Sequence, residues 1–319
     1  MKLYLLLPLA AMLGCNTVKT SNNTPTNTDQ LIKDIKTLSS DAFEGRKTGT
    51  KGGDMAREYI GKRFKEIGLK SFPALNSYQQ AFTFEGIDDP HINGKNMIGF
   101  IPGVSQKVII ISAHFDHLGV INGNIYNGAD DNASGVAGML KIAAHYARSK
   151  PNYTLVFAAF DAEEFGRKGS AYFVEHLPID IKRIKLDINL DMISHNDKGQ
   201  LYASGTFKYP QLKNYIGTTN PDLKILFGHD NPKYGIDDWT DQSDQSAFNA
   251  RNIPFIYFGV EDHKDYHKAS DKFENINQQF FFSAANGILE IVDNFDKDRV
   301  IEKEDVDNVQ STVQKIMTQ

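Results

Sequence analysis

The sequence predicts a single α/β domain in which helices cover both faces of a central sheet. Three observations carry this prediction. Apolar stretches of strand length recur along the chain, amphipathic helical patterns lie between them, and neither an internal repeat nor a second linker divides the folded part. Continuous apolar strands that alternate with helices are typical of sheets that are buried on both faces.

Five stretches are predicted as strands, because each is a run of apolar residues of strand length. They are KNMIGFI (95–101), KVIIISAHF (107–115), TLVFAAF (154–160), IKLDINLDMI (184–193) and IPFIYFGV (253–260). In such sheets ligand sites gather where strands end and loops begin. The polar motifs of this chain follow these strands, so we expect a functional site at that edge of the sheet.

Three stretches show the apolar periodicity of an amphipathic helix. They are residues 54–66, 133–148 and 276–292. In the second stretch the apolar residues that share one helical face are Val136, Met139, Leu140, Ala143 and Tyr146. These helices supply the layers that cover the predicted sheet.

Composition and charge limit the classes of function. The chain has 319 residues, of which 40% are hydrophobic and 24% are charged, and its net charge of −5 comes from scattered acids. This composition is that of a globular protein. No basic stripe is present, so we expect no nucleic-acid partner.

The N-terminus, MKLYLLLPLAAMLGCNT, is predicted as a targeting segment over residues 1–15. It has a basic Lys2, an apolar stretch too short to span a bilayer, and Cys15 directly after Gly14. The arrangement resembles a bacterial lipoprotein signal, so we expect export and a lipid anchor at Cys15, the only membrane contact predicted. The alternatives are a plain secretory signal, which implies a secreted or periplasmic protein, and a buried N-terminal helix. The polar residues 16–28 are predicted as a flexible tether.

Cysteine usage restricts the chemistry of any metal site. Cys15 is the only cysteine of the chain. The folded part, residues 29–319, therefore has neither an internal disulfide nor a thiolate ligand. Any metal ion must be held by histidine, aspartate and glutamate.

The first polar motif, SAHFDHLG (112–119), directly follows an apolar run. In extended backbone His114 and Asp116 point to the same side, and His117 leaves the strand with them. A metal-bound histidine usually needs its second ring nitrogen held by a carboxylate or carbonyl, so one residue can ligate while the other orients it. The alternative is a polar strand end with a solvated histidine.

The second motif, GADDNASG (128–135), precedes a predicted helix. Asp131 is placed to reach a cation near the strand ends. The alternative is a helix N-cap, a role that aspartate fills well.

The third motif contains two adjacent acids, Glu163 and Glu164, after the strand 154–160. Like charges side by side cost free energy unless something positive lies near them. Their side chains diverge in extended backbone, so one can face a metal ion while the other acts as a general base. The alternative is a pair of solvated loop acids.

The last two motifs are INLDMIS (188–194) and DYHKASDKFENI (265–276). Asp191 lies at the end of an apolar strand, where an unpaired carboxylate is costly. His267 follows Tyr266, with His263 nearby, after the strand 253–260. The alternative for this stretch is a surface loop.

Taken together, the motifs place two histidines, three carboxylates and a spare glutamate at the ends of different strands. Nitrogen and oxygen ligands of this mix suit zinc or a similar divalent ion. A carboxylate can bridge two such ions, and the spare glutamate can then deprotonate water. The paired acids of the third motif are explained if cations neutralise Glu164 and Glu163 moves protons.

The order His-x-Asp, Gly-x-x-Asp-x-x-Ser-Gly, Glu-Glu, Asp, Tyr-His resembles metallopeptidase family 28, a co-catalytic zinc family that includes secreted bacterial aminopeptidases. The similarity extends from LSSDAFEGRKTGTKGG (38–53) to YHKASDKFENI (266–276). It implies a single α/β domain with a central mixed, mostly parallel sheet, and identifies 29–319 as the peptidase domain. The implied substrate is a peptide with a free N-terminus.

The resemblance also implies a site with two Zn²⁺ ions per chain. His114 and Asp191 would bind one ion, Glu164 and His267 would bind the other, and Asp131 would bridge them.

The remaining implied roles belong to residues around the ions. Glu163 would be the general base and acid, and Asp116 would orient His114. A non-proline cis peptide would join Asp131 to Asn132. In some relatives a tyrosine at the place of Tyr266 donates a hydrogen bond to the developing oxyanion.

The chain departs from the family pattern in three ways, and the first of them concerns substrate handling. Many members have Ser-Asp-His where this chain has SDQSAF (243–248), with Gln245 in place of the histidine. The protease-associated insert of some relatives is absent, and no basic cluster for a C-terminal carboxylate is evident.

Two other functions remain open at this point: a glutaminyl-peptide cyclase with one zinc ion, and a non-catalytic surface lipoprotein whose acids bind calcium or a partner.

Overall fold

The computed structural model of the protein describes residues 27–75, 77–86 and 89–298. The predicted targeting segment, with Cys15, lies outside these residues, as does the predicted tether up to residue 26. The first helix begins at Asn27, so the last two positions of the predicted tether are helical.

Ten strands and six α-helices lie within the described residues. The strands are β1 (Gln79–Phe84), β2 (Ile92–Ile101), β3 (Val108–His114), β4 (Gly119–Ile121), β5 (Asn124–Tyr126), β6 (Thr154–Phe160), β7 (Ile184–Leu190), β8 (Gln200–Ser204), β9 (Lys224–Phe227) and β10 (Phe255–Gly259). The helices are α1 (Asn27–Leu38), α2 (Lys51–Ile67), α3 (Gly135–Tyr146), α4 (Lys168–Glu175), α5 (Gln245–Ala250) and α6 (Gln278–Asp298). All five predicted strands and all three predicted helices are present, with shifted ends except for β6.

Eight of these strands form the central sheet in the order β1-β2-β6-β3-β7-β10-β8-β9, while β4 and β5 form a separate hairpin. The four central strands β6, β3, β7 and β10 run parallel to one another, and β9 runs parallel to β8. Antiparallel pairs join β1 to β2, β2 to β6 and β8 to β10. The sheet is therefore mixed and mostly parallel, as predicted.

Helices cover both faces of the sheet, and the alternation of side chains along β6 shows this directly. Leu155 and Phe157 pack in one apolar cluster with residues of α1, α2, α3 and α6. Val156 and Phe160 pack in a second cluster with residues of α4 and α5. All four side chains are fully buried, which explains why this strand reads as an unbroken apolar run.

The parallel strands bring the candidate residues to one edge of the sheet. His114 is the last residue of β3, and the acids Asp161, Glu163 and Glu164 follow β6. Asp191 directly follows β7, and the loop 260–267 follows β10. Because these strands are parallel neighbours, their carboxyl ends share one edge. The turn before α3 adds Asp131 there, and its peptide bond to Asn132 is cis.

None of the helices in the described ranges is long and apolar enough to cross a bilayer.

Candidate metal centre

One half of the centre is built around His114, whose side chain is buried at the end of β3. Its Nε2 atom lies 3.3 Å from Oδ1 of Asp191 and 3.4 Å from Oδ1 of Asp131. Both aspartates are also buried. Three donor atoms from different segments of the chain therefore face one another.

The other half of the centre surrounds the second carboxylate oxygen of Asp131, Oδ2. Its Oδ2 atom is 3.1 Å from Nε2 of His267, which is 3.5 Å from Oε2 of Glu164. His117 joins this group as well, with Nδ1 2.7 Å from Oε1 of Glu164 and 3.6 Å from Oδ2 of Asp131. Asp131 thus presents one carboxylate oxygen to each half.

The structure brings together all five residues predicted as metal ligands, and it adds His117. Two sets of three donors, His114–Asp131–Asp191 and His117–Asp131–Glu164, each have ligand atoms within 4.8 Å of one another. His117 stands in the first sequence motif, but its direction depends on the turn after β3. The pattern His-x-Asp-His alone does not reveal which histidine faces the acids.

The electrostatics of this cluster fit a bound cation. Burial raises the pKa of Glu164 to about 8, and the negative charge of Asp131 acts in the same direction. Burial also opposes ionisation of Asp131, but the neighbouring His117, His114 and His267 reverse this and hold its pKa well below the usual value. Carboxylates and imidazoles in a buried cluster are the donor set that zinc prefers. The residues present therefore fit the metal ions that the sequence predicts.

Asp116 positions both adjacent glutamates through their backbone. Its Oδ1 accepts a hydrogen bond of 2.9 Å from the N–H of Glu163, and its Oδ2 accepts one of 3.2 Å from the N–H of Glu164. The contact with His114 is less direct than expected. Nδ1 of His114 lies 3.2 Å from the backbone oxygen of Asp116 and 3.7 Å from its Oδ1.

Glu163 lies beside the donor cluster with a strongly perturbed acidity. Burial raises its pKa well above the ordinary value, and the negative charges of Asp244, Asp191 and Asp116 add to this effect. His114 opposes it. A carboxyl group with a raised pKa next to candidate metal ligands has the properties of a general base.

Tyr266 is fixed by its neighbour in the sequence. Its ring stacks on that of His267 with a centroid separation of 4.0 Å, and it packs against the main apolar cluster. Burial raises the pKa of its hydroxyl, and the charges of Asp131 and Asp191 reinforce the shift. The phenol is therefore a hydrogen-bond donor at neutral pH.

Arg46 stabilises the backbone around the centre, although it belongs to none of the five sequence motifs. Its buried guanidinium donates to the backbone oxygens of Phe115, Leu38, Asn127 and Gly128. Burial lowers its pKa to about 10, so it stays charged at neutral pH. It joins the end of α1 to the backbone beside His114 and to the turn that carries Asp131. Arginine is not a metal ligand, so no ligand pattern could have identified it.

The structure explains the departure at Gln245. Its Oε1 accepts a hydrogen bond of 3.0 Å from Asn189, and its Nε2 donates one of 2.6 Å to the backbone oxygen of Trp239. The side chain is fully buried in these contacts. Gln245 therefore joins α5 to β7 and is not bonded to any of the candidate ligands.

Comparisons with known proteins agree with this architecture. The chain is 30% identical over 207 residues to leucine aminopeptidase 2 of Trichophyton rubrum, an alignment that covers 56% of this chain and 40% of the relative. The chain spans about half the length, or less, of the curated relatives it matches.

Among solved structures, a zinc aminopeptidase from Bacillus subtilis matches with a TM-score of 0.66 and 16% identity, covering 86% of this chain and 97% of that one. A glutaminyl cyclase from Bacteroides thetaiotaomicron matches with a TM-score of 0.66 and 18% identity, covering 83% and 96%. The sequence model described as Peptidase family M28 matches residues 96–292, a range that holds every candidate ligand. The chain belongs to peptidase family M28.

Proposed function

We propose that the protein is a zinc-dependent aminopeptidase that removes the N-terminal residue of peptides. The observation that carries the proposal is the position of Asp131, with one carboxylate oxygen toward each of two donor groups. Bridging carboxylates of this kind are typical of two-metal hydrolytic sites. Membership of the peptidase family and similarity to aminopeptidases support the same reaction.

The chain's own residues would hold two zinc ions. His114 and Asp191 would hold one ion, Glu164 and His267 would hold the other, and Asp131 would contribute to both. Zinc in such a site polarises a carbonyl oxygen and lowers the pKa of water. His117 holds the carboxylate of Glu164 through its contact of 2.7 Å.

Glu163 carries the proton in the proposed reaction. Its carboxylate accepts a proton from the attacking water and then gives it to the nitrogen of the leaving amine. Its raised pKa favours this double role, because a carboxylate that is more basic than usual accepts a proton more readily and can still release it to the leaving amine. Asp116 keeps Glu163 in place through the backbone hydrogen bond.

Tyr266 donates a hydrogen bond to the carbonyl oxygen as negative charge develops there. Its stacking on His267 places the ring beside the donor cluster. The substrate in this proposal is a peptide with a free N-terminus, the class on which an aminopeptidase acts.

Glutaminyl-peptide cyclisation is the second candidate function. It is favoured by the match to the bacterial cyclase, whose TM-score equals that of the zinc aminopeptidase. A cyclase of this superfamily uses one zinc ion, whereas two sets of donors meet here. The number of zinc ions that the loaded protein binds, together with the products, distinguishes the two reactions.

The proposed location is the bacterial cell envelope, through a lipid on Cys15 after export. The proposal rests on the N-terminal sequence. Radiolabelled palmitate should enter the wild-type protein and not Cys15→Ser. Equal labelling of the two proteins would disprove the anchor.

A panel of aminoacyl and glutaminyl peptides tests the reaction. Zinc-loaded protein should release free N-terminal amino acids from many of them, without ammonia. Ammonia from glutaminyl peptides alone, with no amino acid released, would identify a cyclase instead.

A further inference from the structure

A second region next to the candidate centre has no role in the proposed function. It is a cavity of about 940 Å³, formed by the turn 47–50, the strands β1 and β2, and Phe165. Its volume lies within the range of about 300–1,000 Å³ that is typical of ligand sites.

The cavity adjoins the catalytic glutamates. Phe165, which lines it, is the residue directly after Glu164. Thr48, also in its lining, donates a hydrogen bond of 2.7 Å to Asp161 and one of 3.3 Å to Asp116. Because Asp116 holds the backbone of Glu163, the wall of the cavity and the proposed general base form one connected unit.

Two lysines give the cavity a positive character. Lys47 and Lys95 line it, and neither forms an ion pair with another residue in the part of the chain described. Their segments are held together by Asp161, which accepts hydrogen bonds from Thr48 and from the backbone N–H of Lys95. Nζ of Lys47 lies 5.8 Å from the ring centre of Phe165, the residue directly after Glu164.

The acids of the cavity already have partners. Asp54 forms an ion pair with Arg57, and Asp89 accepts a hydrogen bond of 2.9 Å from the backbone N–H of His91. Among the lining residues, the two lysines therefore outweigh the single acid without a cationic partner, Asp89. A carboxylate is the ligand group that such charges attract.

We propose that this cavity binds a carboxylate on the leaving portion of the peptide, so that the protein prefers short peptides with an acidic or free C-terminal end. The proposal rests on the proposed aminopeptidase function and names a substrate class for it. The carboxylate has two sources, the C-terminus of a short peptide and the side chain of an acidic residue after the scissile bond.

Binding to zinc-loaded Glu163→Gln protein tests the proposal without turnover. Calorimetry compares Leu-Gly-Gly with its C-terminal amide, and with Leu-Glu-Gly-amide and Leu-Gly-Glu-amide. An exposed ion pair contributes up to about 1 kcal/mol, so the free acid should bind about two- to fivefold more tightly than the amide. Recovery of this preference by one of the glutamyl amides would assign the site to side chains as well.

Charge removal in the cavity provides the second arm. In the Glu163→Gln background, Lys47→Gln and Lys95→Gln should bring the ratio of acid to amide affinity toward one, and high salt should do the same. Lys182→Gln, which changes an exposed lysine outside the cavity, is the matched control and should keep the ratio. An equal affinity for acid and amide in the parent protein, or a ratio that both cavity variants leave unchanged, overturns the proposal.

A further assay distinguishes failure of the proposed reaction from failure of the proposed carboxylate site. Hydrolysis of Leu-p-nitroanilide by the wild-type protein reports on the aminopeptidase reaction and involves no carboxylate. Lack of hydrolysis together with a preserved acid preference would refute the reaction and retain the carboxylate site. Hydrolysis without an acid preference would refute the carboxylate site alone.

Discussion

One oxygen of the Asp116 carboxylate accepts a hydrogen bond of 2.9 Å from the backbone N–H of Glu163. The other oxygen accepts a hydrogen bond of 3.2 Å from the backbone N–H of Glu164. These two hydrogen bonds fix the backbone from which the adjacent glutamates extend. One glutamate can then bind the metal ions while the other transfers the proton.

Exchange of each glutamate for glutamine should therefore have different effects. Glu163→Gln should keep the zinc content and lower kcat by about 10²–10⁴-fold, the usual contribution of a general base. Glu164→Gln should also lower the zinc content, because it removes a ligand charge. Metal analysis and rate assays on both variants measure this. Equal metal loss in the two would mean that their roles are reversed.

The raised pKa of Glu163 predicts a pH dependence. The carboxylate must be ionised to accept a proton, so activity should fall as the pH falls through its pKa. Because burial raises this pKa above the ordinary value, the acid limb of kcat/KM should lie at a higher pH than a solvated glutamate would give. The profile of Tyr266→Phe serves as a control and should have the same acid limb. A limb at or below pH 4.5 contradicts the assignment.

Substitutions of His267 and His117, the two histidines in the second half of the centre, should affect zinc binding differently. His267 is proposed as a ligand, so His267→Ala should lower the bound zinc from two ions to about one. His117 is proposed to orient Glu164, so His117→Ala should keep both ions but weaken their affinity about 10–100-fold, as removal of such a supporting contact does. Metal titration followed by mass spectrometry distinguishes these results. Loss of one ion in His117→Ala alone would exchange the two assignments.

Tyr266 should act mainly in the transition state. Removal of one oxyanion donor typically costs about 10²–10³-fold in turnover. We expect Tyr266→Phe to lower kcat at least about tenfold, with little change in KM or zinc content. The phenylalanine keeps the ring that stacks on His267, so folding should be preserved. An unchanged kcat would assign Tyr266 to packing.

The central strands were predicted from the sequence because they are buried on both faces. β3 and β6 are buried at every position and read as continuous apolar runs. The outer strands β1, β8 and β9 were not predicted. β1 has buried and exposed positions in alternation, and β9 has only four residues, none fully buried, so neither carries the apolar run that identifies a core strand.

The candidate ligands were predicted from the residue types at strand ends and from the family pattern. What the sequence could not show is the direction of side chains in turns. His117 reaches Glu164, and Asp116 holds two backbone N–H groups, through the path of the loops after β3 and β6. The basic cavity was not predicted either, because Lys47 and Lys95 are far apart in sequence, and their segments are joined by Asp161, which accepts hydrogen bonds from Thr48 and from the backbone of Lys95.

The zinc dependence of peptide hydrolysis tests the central claim most directly. Protein stripped with a chelator should lose its activity, and zinc titration should restore full release of N-terminal amino acids as two ions bind per chain. Retention of full activity after complete removal of the metal would contradict the account, as would full recovery with a single bound ion and no binding of a second.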